Sequence, residues 1–343
     1  MTKIVDITGL DRNVIFLRLT TLWALNEVVL GGIIHLFKLP FSGLLLAGFA
    51  SIVIALIAKT SSKPQKDIFK ALLIVLALKG LVSPQSPLPA YFAVALQGFM
   101  GIFLFFFLKN FKIAAFLLSV LALLTSAVQK IFVLTILFGN TIWEALDGFY
   151  DFVLLQLGFT TASNNFSYWL VGMYVLVHLV FGLVYGLISA HLPAKLRAIR
   201  HSDVPMVKQE TILGNRAKKR KAWYKRPLIM VLLIAVGLIT FVLMYESGDK
   251  IVERSVGLAV RIFVVFLIWF YIIAPFLMSK IKRWSAKGTS RFQNEINEAL
   301  VLLPYFSAYA KTAFHETKEM KGFSRLNEIV VRTVGYALFH KNG

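Results

Sequence analysis

The chain has 343 residues, 58% of them hydrophobic and only 16% charged, with a formal net charge of +20 and a mean hydropathy of +0.73. A soluble domain carries about a quarter charged residues, so long apolar blocks in this proportion exclude an ordinary water-soluble globule and point to a bilayer as solvent. The absence of cysteine excludes disulfides, thiolate-bound metal and thiol catalysis, and basic loops on the cytoplasmic side of a membrane account for the net charge without nucleic acid.

The first thirteen residues lack the basic start, compact apolar stretch and small-residue site of a cleaved signal peptide, so the first span is expected to be retained. Span 1 is predicted over Val14 to Phe37, closed by Pro40, and span 2 over Phe41 to Ala58. A loop, Lys59 to Lys70, leads to a short span 3, Ala71 to Ser83, and a turn rich in proline, Pro84 to Pro89. Span 4 covers Ala90 to Leu108 and span 5 Ile113 to Leu137. Between Gly139 and Phe166 the charges are all acidic, and apolar positions at helical spacing predict an amphipathic outer helix near 141–158, with Asn164-Asn165 marking its end. Span 6 runs from Tyr168 to Ala190, span 7 from Pro227 to Tyr245 and span 8 from Val256 to Met278.

Residues 192–226 are dense in Lys and Arg against only Asp203 and Glu210. A basic loop between apolar spans stays on the cytoplasmic side. That assignment leaves the inside segments basic and the outside ones short, neutral or acidic, with both termini inside. The tail, 280–343, holds no further span. A helix begins near Asn294, Pro304 breaks or kinks it, Gly322 ends it, and a last helix puts Leu326, Ile329, Val330, Val334 and Ala337 on one face. These helices need an apolar surface to cover them, from the membrane or a partner.

Ionisable residues at membrane depth are costly and mark functional interiors or structural pairs. Glu27 in span 1, beside Asn26, is a candidate for a solute or proton, or a structural partner of Lys79 or Lys130. His35, Lys79, Gln97 and Lys130 join it in the outer half of the first six spans. Arg18 is expected to snorkel to the inner interface. Small residues every four positions, Gly43, Ala47, Ser51 and Ala55 on span 2 and Gly182, Gly186 and Ala190 on span 6, allow close helix packing or docking of another subunit. No nucleotide loop, acidic metal cluster or hydrolase motif occurs. Hence no catalytic residue, metal or cofactor is assigned.

Two stretches, Gly31-Gly32-Ile33-Ile34-His35-Leu36-Phe37-Lys38-Leu39-Pro40-Phe41-Ser42-Gly43 and Ser83 through Gly98, resemble the substrate-capture (S) components of energy-coupling factor transporters, the likeness extending over about residues 14–190. The resemblance implies a bundle of about six helices that binds a vitamin or ion near the outer face and docks on a membrane scaffold driven by ATPases. The chain starts Met1-Thr2-Lys3 rather than Met-His, which argues against a cobalt or nickel site of that kind. Glu319-Met320-Lys321-Gly322-Phe323 is similar to the Ala-Arg-Gly signature of the transporters' scaffold (T) component, which implies a partner-coupling role for Glu319, Lys321 and Gly322.

The sequence thus reads as an all-α polytopic inner-membrane protein of about eight transmembrane helices plus cytoplasmic amphipathic helices. Residues 1–191 form a six-span bundle, 192–226 a basic cytoplasmic loop, 227–279 a two-span unit and 280–343 a cytoplasmic tail. The expected function is non-enzymatic capture of a small solute, with membrane lipid and ATPase or other membrane subunits as partners. The alternative is a membrane scaffold that recruits partners through the basic loop and tail.

Overall fold

A computed structural model describes residues 10–30, 42–83, 86, 88–159, 166–196, 199, 204–205 and 274–340. Every element among them is helical: α1 (Arg12–Leu25), continued by a π turn (Asn26–Leu30), α2 (Ser42–Thr60), α3 (Pro64–Val82), α4 (Leu88–Phe107), α5 (Phe111–Phe138), α6 (Thr141–Gln156), α7 (Phe166–Lys195), α8 (Ala274–Glu316) and α9 (Gly322–Leu338). The chain divides into two compact units. One comprises residues 1–131, 165–207 and 277–343, the other 132–164 and 208–276.

Among the described residues, four helices are long and apolar enough to cross a membrane: Gly43–Thr60, Pro89–Phe107, Phe111–Phe138 and Phe166–Lys195. They correspond to expected spans 2, 4, 5 and 6 and make this an all-helical, membrane-embedded protein. On α7, Trp169, Met173, Leu176, Val180, Leu183 and Leu187 recur at helical spacing and are all exposed. An apolar stripe of that length suits lipid and not water. The outer part of span 1, all of span 7 and most of span 8 lie outside the described residues.

Local sequence sets several boundaries. Asp11 caps α1, its carboxylate accepting from the Asn13 amide at 3.1 Å. Asn110 does the same for α5, accepting from the Lys112 amide at 3.0 Å. Pro64 opens α3 at the first turn, where a missing N–H costs nothing. The helix therefore begins inside the segment expected to be a loop up to Lys70, and it reaches a length of 19 residues. In the second unit, α6 stops earlier than the asparagine pair suggested. Gly158 takes φ +79, and the Phe159 amide donates to Leu154 O at 3.0 Å and the Gly158 amide to Leu155 O at 3.1 Å, the paired bonds of a Schellman stop. The Trp143 indole donates to Thr135 Oγ1 at 3.2 Å, tying α6 back to the end of α5.

In the first unit, α1, α2 and α3 form the centre. Leu19, Leu22 and Trp23 of α1, Ile52, Val53 and Ile57 of α2, and Ile68, Val75 and Leu78 of α3 are fully buried. Small residues bring α2, α5 and α7 together. A Cβ on Gly43 would collide with Ser126, and one on Gly48 with the Tyr185 ring. One on Gly182 would sit 3.1 Å from the Val120 Cα, and one on Gly186 2.7 Å from the Phe116 ring. Ala47 and Ser51 are buried, and Ser51 donates to Ser119 at 2.9 Å across the α2–α5 contact. These residues pack helices within the chain.

The tail helices bury their apolar faces on this same unit. Ile296, Ala299, Leu303, Phe306 and Ala313 of α8 and Val330, Val334 and Ala337 of α9 are core residues, with Leu326 packed against them. Helix α8 continues through Pro304 without a break. It ends at Glu316, and Gly322, at φ +57, forms the joint to α9.

Candidate functional site

Helix α1 carries an arginine near its start and a glutamate near its end, and both find partners far away in sequence. At residue 26 the helix widens from α to π geometry. Such turns are rare and concentrate at functional sites. The turn opens with Asn26 and Glu27, both buried.

Lys79, in the last turn of α3, reaches this turn. Its ammonium lies 2.9 Å from Glu27 Oε2 and donates to the Glu27 backbone carbonyl at 3.4 Å. Lys79 is 1% exposed and Glu27 5%, so the pair is sealed from water. Asn26 Nδ2 donates to Glu27 Oε1 at 3.2 Å and to Leu46 O of α2 at 2.9 Å. One amide thus fixes the carboxylate and ties α1 to α2. The Tyr91 ring of α4 lies 6.0 Å from the Lys79 ammonium, at the limit of a cation–π contact.

A lone charge in this interior would be strongly disfavoured. The pair persists because each ion is the other's counter-charge and their remaining capacity is hydrogen-bonded. Some capacity is left over. The Trp23 indole N–H, the Asn26 side-chain oxygen and the Thr20 hydroxyl, all buried on α1, have no hydrogen-bond partner among the described residues. Trp23 and Glu27 are four residues apart and share a helix face.

Of the five residues expected to form a solute site, Glu27 and Lys79 meet directly. Gln97 is buried on α4, and its side-chain oxygen has no partner among the described residues. It stands six residues beyond Tyr91, about 9 Å along the helix. The neighbouring Gly98 abuts Leu72, two turns below Lys79. Lys130 is exposed on α5, so the ion pair that the sequence left open between Lys79 and Lys130 is made with Lys79. His35 lies outside the described residues. No group of three or more His, Asp or Glu side chains suited to a metal occurs among the described residues.

No protein-family model matches the chain, and no curated protein or solved structure is similar to it. The site is therefore read from its own geometry.

The other end of α1 was harder to foresee. Arg18 does not snorkel. It is buried, and its guanidinium donates to Leu338 O and, at 2.8 Å, to His340 O. It supplies the C-terminal cap that α9 lacks, since no basic residue occupies that helix's last turn. The imidazole of His340 pairs with the Tyr309 hydroxyl at 2.8 Å. Burial first, and then the Arg18 charge, push the His340 pKa down to about 4. A second tie joins Lys70 of α3 to Glu295 of α8 at 2.7 Å, with the Phe16 and Phe292 rings 5.1 and 5.6 Å from the ammonium. Burial raises the Glu295 pKa, but the hydrogen bond and charge of Lys70 outweigh it and leave the carboxyl below its ordinary range.

The signal for the Arg18 contact was present in part: an arginine inside an apolar run, and a final helix with no cation of its own. Another buried polar residue also went unmarked. His178, mid-way along α7, has its Nδ1 2.9 Å from Tyr174 O and lies near Gly43 and Ser126. At the α8–α9 joint, Glu319, Lys321 and Gly322 are exposed, as are the flanking Phe314 and Phe323.

Proposed function

We propose that the chain is a membrane transport component that captures a small solute at the Glu27–Lys79 centre, a role like that of energy-coupling factor S components. The observation that carries this reading is the sealed ion pair between the π turn that follows α1 and the last turn of α3. Ionisable groups at membrane depth are retained chiefly for substrate or ion handling, and Asn26, which holds this carboxylate, keeps a buried side-chain oxygen with no partner among the described residues. In this reading the chain crosses a cell inner membrane about eight times. Its termini and tail face the cytoplasm, and the exposed joint at Glu319, Lys321 and Gly322 meets an ATPase or another transporter subunit.

Native mass spectrometry of the protein, gently extracted from its own host, tests the proposal. A small molecule released on denaturation of the wild type, and absent when Glu27→Gln and Lys79→Met are combined, is the expected result. A chain that carries no small molecule, only other proteins, overturns it in favour of a scaffold. One observation favours that second reading: the tail is anchored through buried Arg18 and exposes Phe314 and Phe323 on its outer side.

A further inference from the structure

We infer that the Glu27–Lys79 centre takes a solute with no net charge that carries both an ammonium and a carboxylate, a small zwitterion of the amino-acid type; this rests on the solute-capture reading above. Charge balance at the centre selects the solute. The centre pairs one carboxylate with one ammonium 2.9 Å apart, each almost wholly buried. An incoming anion could pair with Lys79 only by stripping it from Glu27, which leaves a buried carboxylate without a counter-ion. An incoming cation strands Lys79 in the same way. A neutral solute lacking charges must separate the pair and offer neither ion a replacement. A zwitterion alone brings both replacements, its ammonium to Glu27 and its carboxylate to Lys79, and the centre remains neutral throughout.

The surrounding groups suit such an exchange. Asn26 Nδ2 already bonds one Glu27 oxygen, at 3.2 Å, and so holds the carboxylate in place when Lys79 turns away. The Asn26 side-chain oxygen, an acceptor, and the Trp23 indole N–H, a donor, are both 0% exposed and unpartnered among the described residues. They offer one acceptor for an ammonium and one donor for a carboxylate. Lys79 also holds the Glu27 backbone carbonyl at 3.4 Å, so its departure frees the π turn. Solute binding and a change of pitch in α1 are thereby coupled at one residue.

The test uses the full chain in lipid nanodiscs and three probe mixtures of different charge: the α-amino acids with uncharged side chains (zwitterions), their primary amides (cations) and their N-acetyl derivatives (anions). The expected result is a rise in melting temperature with the amino acids, and binding at least tenfold weaker for either derivative set. Glu27→Gln alone leaves Lys79 unpaired and risks misfolding. The combined Glu27→Gln and Lys79→Met variant leaves no charge at the centre, is expected to fold, and should lose the response. Equal or tighter binding of the amides or N-acetyl forms overturns the zwitterion assignment while solute capture stands. So does an unresponsive wild type that nevertheless releases a singly charged or uncharged molecule in native mass spectrometry. An unresponsive wild type that releases nothing overturns both.

Discussion

Helices α3 and α4 are neighbours of nearly equal length, yet they solve opposite problems. Helix α4 has an apolar sequence and presents Phe92, Phe99, Phe103, Phe106 and Phe107 outward. Helix α3 carries Lys66, Asp67, Lys70 and Lys79, and by composition alone does not qualify as a span. It is nevertheless the more buried of the two, with Ile68, Leu72, Val75, Leu78 and Lys79 in the interior. Lipid accepts any apolar side chain, so outward helices are apolar without being specific. An interior helix can keep a charge, provided a partner waits for it. Hydropathy therefore finds the apolar helices, whether they face outward like α4 or inward like α2, and pairing decides which polar helix sits inside.

The contrast breaks most sharply if a charge is moved across it. Phe99→Lys puts an ammonium near the middle of α4 with no counter-ion. Insertion of α4 should become less favourable by about 3 kcal/mol, read as a lost membrane-inserted fraction in a glycosylation-mapping assay. Native Lys79 has its counter-ion in Glu27, and efficient insertion of the variant would undo the distinction.

Arg18 extends the same rule to the tail. Arg18→Ala leaves the Leu338 and His340 carbonyls buried without a donor, at a cost of about 2 kcal/mol. Faster proteolysis in residues 317–321, with the bundle itself intact, is the expected sign. The site also responds to acid. His340 has a folded pKa of about 4, below the ordinary histidine value of about 6.5, so the unfolded state binds more protons between those values. Tail docking should be full above about pH 6.5 and weaken as pH falls toward 4, with Arg18 facing the imidazole and Tyr305, Phe306 and Tyr309 around it. Hydrogen exchange of α9 across that range checks the sign, and His340→Phe should flatten it. Smallest of all, Phe103→Leu on the lipid face should change stability by less than about 0.5 kcal/mol. A larger loss in thermal unfolding would mean that α4 is covered by protein.

These regions were not equally legible from sequence. Spans 2, 4, 5 and 6 follow from apolar length, and the spacing of Gly43, Ala47, Ser51, Gly182 and Gly186 marks close packing, because both signals are local. The start of α3 was hidden by its charges, although Pro64 marked it. The stop of α6 was written in Gly158 rather than in Asn164 and Asn165. Glu27 stood out as an ion at depth. Its choice of Lys79 over Lys130 depended on which helix adjoined α1, and that is a property of packing. Arg18 lies 320 residues from Leu338, and no local pattern links a lone arginine to the carbonyls of so distant a helix.

Glu27 and Lys79 act as one buried unit, and a double-mutant cycle on unfolding stability in lipid tests that unit most directly. Each of Glu27→Gln and Lys79→Met alone should cost about 3 kcal/mol or more, because each strands the other's charge or hydrogen bonds. The double variant should cost far less than their sum, giving a coupling of about 2 kcal/mol or more. Additive losses, with a coupling near zero, would contradict the pairing and remove the basis for a solute site there.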